Sequence, residues 1–243
     1  MKKINFIIVI MIIISNVTLA QSINEPYNFP LKPGMPEWAN LKSGAEMVTT
    51  LQIPQNILSR MTTKSLLETC LNYPLFIVDI IAYGSSKVGM EYATKNFNGF
   101  TELLKRKDAY NYLSEKFISF DPLAIDKRWS LLEQGCYTFE LIKIELLLAQ
   151  NIVLESTSYE NKIHLLKEAL SKYEKMLTQK DYYVGYQYEQ LFFLMGKVLQ
   201  NSGNSDISSL AVNNKEISKF LETGKLYNYD VINEILSIVK KIL

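Results

Sequence analysis

Histidine, cysteine, basic clusters and strand-like alternation are all scarce in this chain, and each scarcity removes a class of function. His164 is the only histidine. Glu160 and Glu168 lie one helical turn to either side of it, and three ligands on one face could hold a divalent ion, but a ligand from a second element would still be needed. A histidine-based nucleophile would have to find its serine or cysteine through the fold. Gly84-Ser85-Ser86-Lys87 lacks the Ser-x-x-Lys spacing, and Gly-x-Ser-x-Gly does not occur. No cofactor motif is present. Basic and acidic residues nearly cancel, to a net charge of +1, and the only basic cluster is Lys105-Arg106-Lys107. A near-neutral chain without a basic stripe argues against nucleic acid as a partner.

Long apolar runs are missing after the first twenty residues. The greasiest later stretch, Leu141 to Ala149, is interrupted by Lys143 and Glu145. At the start, Lys2 and Lys3 precede an apolar run from Ile4 to Ile14, broken only by Asn5 and followed by Ser15, Asn16 and the small-residue ending Thr18-Leu19-Ala20. That is the three-part pattern of a secretory signal peptide. A spanning helix needs roughly 20 apolar residues, and this run meets Ser15 and Asn16 first. Residues 1–20 are therefore expected to be a leader cleaved after Ala20, leaving a periplasmic or secreted protein with no membrane segment. Gln21 stands where a lipoprotein would carry cysteine.

Glycine and proline are few, 10 and 7, and the prolines crowd the front. Pro26, Pro30, Pro33 and Pro36 with Gly34 predict an extended arm over residues 21–36, because proline removes amide donors and disfavours helix in the residue before it. Tyr27, Phe29 and Leu31 alternate along it, so one side of the arm is expected to lie on the body. Residues 37–243 read as one all-helical domain. Ile163, Leu166, Leu170, Tyr173 and Leu177 recur at steps of 3 and 4, predicting a helix from about Tyr159 to Gln179. Val231, Ile235, Ile238 and Ile242 predict another from Asp230 to Leu243, closed by Lys240 and Lys241 at the negative end of its dipole. No comparable run alternates with period two.

A faint internal repeat is visible. Leu66-Leu67-Glu68-Thr69-Cys70 and Leu131-Leu132-Glu133-Gln134-Gly135-Cys136 stand about 65 residues apart, each ahead of a greasy segment. Leu103-Leu104-Lys105 and Leu165-Leu166-Lys167 are similarly offset, and Leu191 to Leu199 opens where a third unit would begin. The fold class is therefore all-α, as an irregular solenoid-like repeat of stacked units or a helical bundle, with an extended N-terminal arm.

The segment from Leu66 to Phe76 (LLETCLNYPLF), with Asn96-Phe97-Asn98-Gly99-Phe100 and Glu102-Leu103-Leu104-Lys105-Arg106 after it, resembles an uncharacterised family of secreted proteins from Bacteroidetes-type bacteria, and Pro33-Gly34 with Glu37-Trp38 resembles that family's start. The resemblance covers roughly residues 27 to 110. It implies export and helical structure and carries no catalytic residue over.

Four further features bear on function. Tyr182, Tyr183, Tyr186 and Tyr188, with Phe192 and Phe193, form an aromatic cluster that reads either as a binding surface for a peptide or sugar or as core at a helix junction. Cys70 and Cys136, at matching places in the two units, are expected to be buried free thiols, since packed helices run ~8 to 10 Å apart and a disulfide needs its Cα atoms within about 7 Å. Glu68, Asp79, Glu91 and Glu140 could converge as a carboxylate pair of the glycosidase kind. Asn72-Tyr73-Pro74 predicts a kink or break. With no catalytic constellation legible, the sequence favours a non-catalytic protein that binds a protein or peptide. The rival is a hydrolase of cell-wall or glycan material working through helix-borne carboxylates.

Overall fold

The computed structural model describes residues 22–243, so the expected leader over residues 1–20 lies outside the described residues. The chain forms fourteen α-helices among these residues: α1 Gly44–Thr50, α2 Gln55–Leu58, α3 Thr63–Leu71, α4 Phe76–Ala82, α5 Ser86–Asn96, α6 Asn98–Leu103, α7 Ala109–Ser119, α8 Leu131–Leu148, α9 Asn151–Glu155, α10 Tyr159–Leu177, α11 Gly185–Asn201, α12 Ser205–Asn213, α13 Lys215–Thr223 and α14 Asp230–Ile242. Short 3₁₀ turns occupy Pro36–Asn40 and Pro122–Ala124. No strand occurs among the described residues, only an isolated bridge from Ile23 to Met61. The fold is all-α with an extended N-terminal arm.

Local chemistry fixes half of the helix starts. The side chains of Ser43, Thr62, Ser85, Ser130, Ser158, Asn204 and Asn214 each accept an amide that would otherwise be orphaned in the first turn. At Ser130 the exchange is reciprocal, because Glu133 Oε2 takes the Ser130 amide at 2.7 Å. Gly224 ends α13 with φ +68, a left-handed turn that glycine adopts without strain. The arm is held by main-chain bonds: the Ile23 amide donates to Arg60 O at 2.8 Å and the Thr62 amide to Ile23 O at 3.0 Å. Phe29 then inserts into a ring cluster with Tyr73, Phe97 and Phe100, where Tyr73 and Phe97 stack at 4.2 Å between centroids.

The centre is α11, whose Leu191, Phe192, Leu194, Met195, Val198 and Leu199 are fully buried. It packs against α8, α10, α13 and α14. Each such side chain contributes roughly 1.5–3 kcal/mol by leaving water. In the N-terminal half α4 crosses α5 at Gly89, where an added Cβ would stand 2.6 Å from Ile80 Cα.

Two sequence expectations are corrected at this level. A solenoid confines each unit to its neighbours, but α13 returns to α5. There Ser85 Oγ donates to Thr223 O at 2.8 Å across 138 residues. The body is a closed, irregular bundle rather than an open stack. The offset also pairs unlike elements: Leu66 and Leu67 are buried in the nine-residue α3, whereas Leu131 and Leu132 are exposed in the first turn of the eighteen-residue α8. Among the described residues no single helix is long and apolar enough to cross a membrane. The bent pair α3 and α4 passes by composition together, but seven residues of α3 are buried.

Candidate functional site

The sequence motif Asn72-Tyr73-Pro74 builds the main surface feature. It separates α3 from α4 with a bend of 56°. The break exposes the last carbonyls of α3, and Lys143 on α8 answers by donating to Leu71 O at 2.6 Å while pairing with Glu140. A groove of about 420 Å³ opens between the bend and α8. One wall is Tyr73, Pro74, Phe76 and Ile77. The other is a single helical stripe of α8, namely Leu131, Leu132, Gly135, Cys136 and Phe139. Leu131 and Leu132 are 87% and 76% exposed. The reciprocal cap at Ser130 and Glu133 holds their turn in shape, so both side chains are presented on a fixed frame.

The next turns of α4 continue the apolar surface through exposed Val78 and Ile81. Beyond it lies a second cleft of about 370 Å³, lined by Ile80, Ile81, Tyr186, Glu189 and Lys225. Helix α4 thus lines the groove with its first turn, through Phe76 and Ile77, and the second cleft with its next turn, through Ile80 and Ile81.

The tyrosine cluster does not form one exposed face. Tyr183 is 1% exposed and its hydroxyl donates to Pro122 O at 3.2 Å. Tyr182, Tyr186 and Tyr188 are half-buried against the core, with the Tyr188 hydroxyl on Met176 O at 3.4 Å. Burial, with help from Glu189, pushes the Tyr186 phenol up to about 12. Of the four, Tyr186 alone lines a described cleft.

The four acids considered for hydrolysis stand apart. Glu68 pairs with Lys116 at 2.8 Å, Glu91 with Lys87 at 4.0 Å, and Glu140 with Lys143. Glu68 and Glu91 line different clefts. Asp79 is buried, one carboxylate oxygen lacks a partner, and desolvation pushes it up to about 6. The residues that sequence reasoning missed are Glu145, buried with neither oxygen partnered, and Glu189, half-buried in the second cleft. Glu145 was legible only as a flaw in a greasy run.

Both thiols are unpaired, and Cys70 is buried as expected, but Cys136 is exposed. Its assignment to the core is corrected for the same reason as the repeat, since the start of α8 projects beyond the body. His164 pairs with Glu168 at 3.8 Å on the wet face of α10, and no group of three or more metal-ligating side chains occurs among the described residues.

Comparison with family models, with curated proteins and with solved structures finds no match. The reading of function therefore rests on geometry.

Proposed function

We propose that this is an exported, non-catalytic binding protein that accepts an apolar segment of another polypeptide in the groove between α4 and the start of α8. The observation that carries the reading is the leucine pair 131–132, held out of the core on a capped helix start beside an apolar wall. Covering two such side chains would contribute roughly 1.5–3 kcal/mol each, and a groove lined on both sides by apolar residues suits one face of an amphipathic helix. The leader pattern of residues 1–20 supports export, and the near-neutral charge supports a protein over a nucleic-acid partner.

Panning a displayed library of helical peptides against the protein tests this. The parent is expected to enrich peptides with an apolar face, and the double variant Leu131→Asn/Leu132→Asn to lose them at an unchanged urea midpoint, because exposed substitutions usually shift stability by less than about 0.5 kcal/mol. Enrichment that survives the double variant would contradict the groove.

A further inference from the structure

The second cleft lies one turn further along α4 from the groove, at the seam where residues 80–86 meet the C-terminal third of the chain. It combines an apolar wall, Ile80 and Ile81, with two charges of opposite sign, Glu189 on α11 and Lys225 after α13. Glu189 is fixed in place: Oε2 accepts the Leu226 amide at 2.9 Å and Oε1 accepts Gln190 Nε2 at 3.1 Å. A carboxylate has about four acceptor sites, so two donors leave room for a ligand. Lys225 acts on that carboxylate electrostatically, yet no ion pair closes between them among the described residues. Its ammonium instead stands 5.3 Å from the Tyr227 ring centroid and makes no hydrogen bond there. The hydroxyls at the seam are already committed, Ser85 to Thr223 O at 2.8 Å and Ser86 to Gln190 Oε1 at 2.7 Å. They hold the cleft together and leave Glu189 and Lys225 as its open charged groups, beside the Tyr186 hydroxyl. A partly buried carboxylate without a counter-charge in contact is costly, and a ligand carrying both charges would satisfy the two groups at once.

We propose that this cleft binds the zwitterion of an apolar amino acid or very short apolar peptide, with its ammonium on Glu189, its carboxylate on Lys225 and its side chain against Ile80 and Ile81. The cleft volume of about 370 Å³ is the space of roughly a dozen waters at ~30 Å³ each, which encloses one amino acid, would leave the second residue of a dipeptide at the open mouth, and is too small for a folded partner. Because the two walls come from segments more than a hundred residues apart, an occupant also ties the seam together and stabilises the closed bundle.

Calorimetric titration of the full chain with L-leucine, leucyl-leucine, N-acetyl-leucine and leucinamide tests this directly. Leucine or the dipeptide is expected to bind and to raise the melting temperature. Each singly capped compound should bind at least tenfold more weakly, and K225M and E189Q should each weaken the uncapped ligand by at least tenfold. The Lys225 side chain makes no hydrogen bond, and its main-chain bond to Thr223 Oγ1 survives substitution, so K225M reads the site even if E189Q, which disturbs the Leu226 contact, folds poorly. The variant Leu131→Asn/Leu132→Asn should bind leucine as the parent does, which separates this site from the groove. Absence of binding by both uncapped ligands at millimolar concentration, equal binding of capped and uncapped compounds, or indifference to K225M would each overturn the assignment.

Discussion

The hydroxyl of Tyr183 spans 61 residues of sequence to reach Pro122 O, and that contact makes the residue a fixture of the core. Tyr183→Phe is expected to lower stability by about 1 kcal/mol, the net worth of one hydrogen bond, and Tyr183→Ala by ~3–5 kcal/mol as aromatic core truncations do. Urea denaturation checks both, and a Tyr183→Ala variant as stable as the parent would return the residue to the surface. Glu145 carries a different signature. Burial holds its carboxyl well above the ordinary range, so the folded chain keeps a proton that the unfolded chain has released. Below about pH 4.5 both states are protonated. As pH rises past that point the unfolded state binds fewer protons and stability falls, by up to ~1.4 kcal/mol per pH unit. Lys172, held by burial down to about 8, gives the opposite slope between about pH 8 and its unfolded value near 10.4. Glu145→Gln should therefore gain stability over the parent at pH 7.5 and not at pH 4.5, and an equal difference at both would contradict a protonated buried acid.

Among elements, two long amphipathic helices were the most legible. The spacing that predicts Tyr159 to Gln179 and Asp230 to Leu243 corresponds to α10 and α14 within two residues at each end, because one wide apolar stripe admits one solution. The proline-rich arm was equally plain, yet its attachment through Ile23 to Arg60 and Thr62 uses backbone groups that carry no side-chain signal. The repeat paired Leu131-Leu132 with Leu66-Leu67 for a related reason. Composition marks a leucine pair as apolar, but whether a helix start lies inside the body or projects from it depends on what the rest of the chain covers. The α4–α5 crossing is likewise invisible in sequence. Gly89→Ala there would press a methyl against the Ile80 backbone at 2.6 Å, and backbone cannot rotate aside as a side chain can. A loss of about 1–3 kcal/mol is expected, read by thermal or urea unfolding. A neutral result would mean that the two helices separate freely.

At the scale of the whole molecule, closure is the property that local pattern could not supply. The joining of Ser85 and Ser86 to Thr223 and Gln190 links residues more than a hundred positions apart, and it turns a list of helices into a bundle in which successive turns of α4 line two clefts. Of the functional surface, the sequence displayed the break at Asn72-Tyr73-Pro74 and the tyrosine at 186, while the pairing of the break with α8 and of Glu189 with Lys225 required the fold. The proposed occupant of the groove is one apolar polypeptide segment. Replacing Leu132 with a photoreactive benzophenone amino acid, irradiating native cells and mapping the adducts by mass spectrometry tests it most directly. The account expects adducts on a single apolar segment of one polypeptide, with a yield that collapses when Ile77→Asp is added on the facing wall. Adducts scattered over unrelated proteins, or a yield indifferent to Ile77→Asp, would contradict it.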